Sequence, residues 1–209
     1  MGVSLRFVEA DHRYYWNEDV VPSVTQIMAD QGLGSPLGPW FKPEHRARGR
    51  AVHLACTWVA DDSYDPEGTD PVIHGFVSGY QQFLKDTGFR PELLEEPMFS
   101  PSLKVAGTMD QWGKAPSGET WLVDIKTGVV PKLVGVQLAF YGYMLAEERG
   151  LQSAKRKALR LEASGKYTIV DCSEPRWTKY AMEAVSQWRL RKDAGLIKGD
   201  DSDYDDRND

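Results

Sequence analysis

Two strand-like runs, Lys104–Gly113 and Thr120–Lys126, flank the turn-forming triplet Pro116-Ser117-Gly118. A reversal this short leaves room only for an antiparallel hairpin, with its centre at Ser117. Asp110 and Asp124 each stand seven residues from that centre. A symmetric register therefore makes the two carboxylates direct cross-strand partners, with Cβ atoms about 4.5–5.5 Å apart. Like charges in that position destabilise a sheet unless something positive sits between them. A divalent cation is the simplest candidate, and hard oxygen ligands suit Mg2+ or Mn2+.

Residues two apart on a strand share a face, so Asp124 and Lys126 are expected on one side and Val123 and Ile125 in the core on the other. Beside a phosphodiester, such a lysine can orient or deprotonate the attacking water, or neutralise the transition state, while the metal lowers the water's pKa. From spacing alone, an ordinary surface hairpin with Asp and Lys on its wet face accounts for the pattern equally well.

Around the hairpin the chain reads as alternating blocks. Ser4–Val8 and Arg13–Trp16, with a turn at Asn17-Glu18-Asp19, suggest a small β-hairpin, followed by a short helix capped by Ser23 and ended by Gly32 and Gly34. Gly34–Pro39 reads as a loop. Pro43–Ala60 is helical, with Val52, Ala55, Cys56 and Val59 at spacings of three and four. An acidic loop over Asp61–Pro71 precedes a helix over Val72–Thr87 that Gly88 closes, with Phe76, Tyr80, Phe83 and Leu84 inward. A strand at Leu93–Ser100 makes the hairpin a meander. A helix over Pro131–Arg149, strands at Lys157–Glu162 and Lys166–Asp171, and a helix over Pro175–Ala194 complete the order. That order predicts an α/β fold, a central mixed sheet flanked by helices.

The 209 residues suit one domain over residues 1–199 with an acidic tail at 200–209. That tail holds six Asp and one Arg, five of the six net negative charges, so the body is nearly neutral. Its composition predicts disorder, with a solubilising role or mimicry of DNA as the two readings. Basic residues cluster at Arg46, Arg48 and Arg50, at Lys155, Arg156, Lys157 and Arg160, and at Arg189, Arg191 and Lys192. Each cluster suits phosphate contacts or a solvated helix face. No apolar run approaches the ~20 residues of a membrane span, and the amino terminus lacks the order of a signal peptide, so a cytoplasmic setting is expected. Cys56 and Cys172 read as packing residues, and two cysteines cannot build a four-cysteine iron–sulfur cluster. There is no GxxxxGK[ST] loop for a nucleotide.

Four segments in order resemble one family. Gly107-Thr108-Met109-Asp110 is similar to GxxD, Asp124-Ile125-Lys126 to (D/E)xK, Gln137–Tyr141 to QxxxY, and Arg48–His53 to an upstream helix bearing a histidine. Together they resemble the RecB-like branch of the PD-(D/E)XK nuclease superfamily, and His12 to Thr25 resembles the start of phage-encoded members. The resemblance implies a restriction-endonuclease-like core and metal-dependent hydrolysis of DNA, as an exonuclease in recombination, repair or replication. It implies His53, Asp110 and Asp124 as side-chain metal ligands, Ile125 as a carbonyl ligand, and Lys126 as the catalytic lysine. Gln137 and Tyr141 would steady that lysine or the DNA backbone, and Arg50 would hold a phosphate or a 5′ end. The implied partners are DNA and a single-strand annealing or other recombination protein. A structure-specific or nicking endonuclease is the nearest rival, since the same core serves both. A module that binds without cutting is the rival from another class. Bland readings stay open for single residues: His53 as a half-buried structural histidine, Gln137 and Tyr141 as polar positions of an amphipathic helix, and Arg50 as solvent-facing. Trp16, Trp40 and Trp112 are candidates to stack on a splayed base.

Overall fold

A computed structural model of the chain describes residues 5–8, 13–33 and 43–197. The expectations for His12, the Gly34–Pro39 loop, Trp40 and the acidic tail lie outside the described residues. The opening segment is larger than a hairpin: β1 (Leu5–Val8), β2 (Arg13–Trp16) and β3 (Asp19–Val21) form an antiparallel three-stranded sheet in that order. Ser23 caps α1 (Val24–Asp30), its side chain accepting the Gln26 N–H at 3.0 Å, which relieves one orphan donor of the first turn. After α2 (Pro43–Ala60), α3 (Pro71–Thr87) starts one residue before the expected position. Pro71 suits a first turn where its missing N–H costs nothing, and Asp70 caps Val72 N–H. Gly88 ends α3 at φ 63°, a left-handed value that favours glycine.

The main sheet runs β4-β5-β6-β7-β8 in space: β4 (Arg90–Ser100), β5 (Val105–Lys114), β6 (Thr120–Lys126), β7 (Lys155–Leu161) and β8 (Tyr167–Asp171). All neighbours are antiparallel except β6 and β7, whose parallel pairing requires a long crossover that α4 (Val134–Arg149) supplies. The helix begins at Val134 rather than Pro131, without a side-chain cap. A final helix, α5 (Pro175–Asp193), follows β8.

Helices cover both faces of this mixed sheet, giving the expected α/β architecture. Leu122 and Ala158 pack with Leu138, Phe140 and Met144 of α4 and with Ala181, Val185 and Trp188 of α5. Val123, Ile125, Leu159 and Leu161 pack with Val52 and Cys56 of α2 and with Phe76, Tyr80 and Phe83 of α3. Each such large side chain stabilises the fold by about 1.5–3 kcal/mol on burial. The wet face that an ordinary surface hairpin would give β6 is therefore absent at Asp124, which is only 1% exposed. The two cysteines are buried, as packing residues.

The small sheet lies against β4 and β5, with Tyr14 and Val21 packed on Phe99 and Ala106, and Ala106 N–H bonded to Pro22 O at 2.9 Å. Two tryptophans proposed for base stacking are occupied here. Trp16 stacks on Phe99 at 4.1 Å between ring centroids, and Trp112 is buried with its Nε1–H donated to Gln152 O at 3.0 Å. No helix among the described residues is long and apolar enough to cross a membrane.

Candidate active site

The β5–β6 hairpin has the register expected from its sequence, but its ladder stops early. The pairs run Lys114↔Thr120, Gly113↔Trp121, Trp112↔Leu122 and Gln111↔Val123, and end there. Asp110 and Asp124 would be the next pair. Instead β6 stays paired with β7 on its other edge through Lys126, and Asp110 Oδ2 accepts the Ile125 N–H at 2.5 Å. A carboxylate thus takes the place of a backbone acceptor where two strands part, leaving Asp110 8% exposed.

β5 also breaks its own alternation at this point. Met109 and Trp112 pack on the α4 side, whereas Gln111 accepts from Tyr80 Oη of α3 on the other side, at 3.0 Å. On the far side of β5, the β4 ladder skips the position opposite Asp110, where Glu95 sits at φ 46°. A left-handed non-glycine residue inside a strand stores strain, a feature that concentrates at functional sites. The distortion turns the Glu95 carboxylate toward His53.

His53, on α2, stands over this gap. Its Nε2 donates to Ile125 O at 3.0 Å, and its Nδ1 lies 3.4 Å from Glu95 Oε1 and 3.6 Å from Asp110 Oδ1. Ligand atoms of His53, Glu95 and Asp110 all fall within 4.8 Å of one another, a set that could hold a metal ion. The Ile125 carbonyl accordingly serves as the imidazole's hydrogen-bond partner, which holds Nε2 as a donor and turns Nδ1 toward the two acids. Burial draws the His53 pKa down, but the charges of Asp110 and Glu95 outweigh it and hold it at about 9. In that state the imidazolium supplies the positive charge that a bound cation would otherwise bring to the carboxylates. Burial raises the Asp110 pKa, against the opposing pull of His53.

Asp124 stays outside the three-residue set but beside it. Lys126 Nζ is 3.2 Å from Asp124 Oδ2, and beyond this ion pair the buried carboxylate has no partner among the described residues. Burial lifts the Asp124 pKa to about 6, with Lys126 pulling it down and Asp110 pushing it up. Behind the pair, Gln137 Nε2 donates to Tyr141 Oη at 3.3 Å across one turn of α4, and burial pushes the Tyr141 hydroxyl far up. The glycine at 107 admits that ring, because a Cβ there would stand 2.8 Å from Tyr141 Cε1. Arg50 is exposed on α2, one turn before His53.

The fold thus gathers His53, Asp110, Asp124, Ile125 and Lys126 at one strand divergence, with Gln137 and Tyr141 behind. Glu95 was not foreseen. Its neighbour Glu96 is an equally acidic candidate by sequence, yet it pairs with Arg149 at 2.7 Å. Only the backbone turn at residue 95 distinguishes them.

No protein-family model and no curated protein matches the chain. Among solved structures, a protein of Eubacterium rectale whose name contains "exonuclease" is similar at a TM-score of 0.45 and 10% identity, covering 87% of this chain and 77% of that one. LHK-Exo in complex with dAMP is similar at a TM-score of 0.35 and 11% identity, covering 85% and 95%. A protein of unknown function from Silicibacter pomeroyi is similar at 0.27 and 19%, covering 62% and 92%. At these scores the likeness carries no inference about activity.

Proposed function

We propose that this chain is a metal-dependent deoxyribonuclease of the PD-(D/E)XK type, acting as an exonuclease on DNA ends. The observation that carries the reading is Asp124. A carboxylate 1% exposed, with the Lys126 ammonium as its one partner among the described residues, is costly to keep, and here it stands beside a three-residue ligand set. A fold retained for binding alone has no use for that expense.

His53, Glu95 and Asp110 would hold the ion, and the mixture of one imidazole and hard carboxylate oxygens fits Mg2+ or Mn2+. When bound, such an ion lowers the pKa of a water and polarises a phosphoryl oxygen. Asp124, with a pKa of about 6, is a carboxylate near neutrality yet still basic enough to take a proton from an attacking water. Lys126 counters the charge that grows on the phosphoryl oxygens as water adds and the bridging P–O bond breaks. Gln137 and Tyr141 hold the α4 side of this centre by their mutual hydrogen bond. The end-dependent mode rests on the RecB-like motif order.

The test is incubation with end-labelled linear duplex, single-stranded and closed circular DNA in Mg2+, Mn2+ or EDTA. Metal-dependent cutting of linear DNA, lost in Asp110→Ala and in Lys126→Ala, is expected, with circles spared. Wild-type-like cutting by either variant refutes the site, and digestion of closed circles refutes the exonuclease mode.

A further inference from the structure

Five of the ten basic side chains in the three sequence clusters are committed to the fold as follows. Arg156 donates to Thr178 Oγ1 at 3.0 Å and to the carbonyls of Ser173 and Glu174, Arg189 to the Ser102 and Leu103 carbonyls, and Arg191 to Asp30 O at 2.8 Å. The Arg48 guanidinium lies over the Phe76 ring at 5.3 Å, and the ammonium of Lys157 over Trp121 at 4.3 Å.

Arg160 is placed differently. It is the direct β7 partner of Lys126 in the parallel ladder, at the last pair that β6 makes. The two side chains therefore leave the same face of the sheet from backbones about 4.8 Å apart. Lys126 has Asp124 as its counter-ion at 3.2 Å. The ion pair that Arg160 makes with Glu162 Oε1 is long, at 3.6 Å, its Nε is buried without a hydrogen-bond partner among the described residues, and 43% of the side chain is open to solvent. Thr168, exposed on β8, is the next cross-strand partner and extends the same row.

Across the sheet the order is then Asp110 on β5, Asp124 and Lys126 on β6, Arg160 on β7 and Thr168 on β8. We propose that Arg160 binds the backbone phosphate flanking the scissile one, so that the substrate strand crosses the sheet from β5 toward β8. A guanidinium fork matches two phosphate oxygens where an ammonium offers only a point charge. This assignment rests on the nuclease reading above and makes Arg160 a binding residue, apart from the reacting atoms.

The experiment is fluorescence anisotropy of labelled single-stranded and duplex oligonucleotides in EDTA, between about 50 and 200 mM salt, for wild type, Arg160→Gln and Arg160→Lys. Steady-state cleavage in Mg2+ is measured alongside. Arg160→Gln should weaken binding about tenfold at low salt and flatten the log–log salt dependence by about 0.7 for single strands or 0.9 for duplex. Arg160→Lys should keep the wild-type slope with weaker binding. In cleavage, KM should rise while kcat holds. An unchanged slope and affinity in Arg160→Gln, or a fall in kcat at constant KM, overturns the assignment while leaving the nuclease intact. Absence of salt-dependent DNA binding by the wild type in EDTA together with absence of cleavage in Mg2+ overturns both.

Discussion

Replacing Asp124 by Asn should make the protein more stable and inactive at once. The carboxylate's pKa is about 6 in the fold against an ordinary aspartate value of 3.8, so the folded state holds the proton more tightly than the unfolded chain does. The sign follows: the penalty is absent below about pH 4, grows between 4 and 6, and is constant above. Two pKa units correspond to about 3 kcal/mol of destabilisation at neutral pH. An asparagine removes the charge but brings its own amide donors into the same closed space, which returns about 1–2 kcal/mol of that gain. The net expectation is stabilisation by about 1–2 kcal/mol, or a Tm higher by about 2–8 °C for a chain of this size. Urea and thermal unfolding in EDTA, at about pH 4 and about pH 7.5 on either side of the transition, read both the gain and its pH dependence. Cleavage assays should show no activity. The reasoning is refuted if Asn lowers stability at neutral pH, or if the gain is as large in acid as at neutrality.

Three other expectations concern the surroundings of that carboxylate. Glu95→Gln should raise the Mg2+ concentration needed for half-maximal cutting at least tenfold, roughly the scale of losing a ligand's support, and an unchanged Mg2+ titration would remove Glu95 from the ligand set. His53, held at about 9, contributes stability that is complete below about pH 6.5 and lost as pH rises through 9; unfolding in EDTA should show this decline and His53→Gln should abolish it. Gly107→Ala drives a methyl to 2.8 Å from Tyr141 Cε1 and 3.3 Å from Val24 Cγ2, and should cost about 1–3 kcal/mol by denaturant titration, with wild-type stability contradicting the packing argument.

Much of this was readable without coordinates, because hairpin register and helix caps depend on residues close in sequence. The triplet Pro116-Ser117-Gly118 sets the pairing that carries through to Gln111↔Val123, and Ser23, Gly88 and the apolar spacing of α2 place their elements within a few residues. Asp110, Asp124 and Lys126 stood out as candidates by their spacing, which an ordinary surface hairpin explained equally well, and His53 only by the family resemblance. What sequence could not supply was where the regular pattern fails. Alternation puts Asp124 on the face away from Val123 and Ile125 without saying whether that face is open, and a helix joined by a crossover closes it. Symmetry predicts a paired Asp110 and Asp124, yet the β5–β6 ladder ends at Gln111↔Val123 and the Asp110 carboxylate, not its backbone, meets β6 at Ile125 N–H. Glu95 differs from Glu96 only through a backbone twist opposite that divergence. Local chemistry thus decided which groups were available, and tertiary packing decided which of them lost water, parted from a strand partner and met at one point. Those three events depend on contacts between segments far apart in the chain, which no spacing along it records.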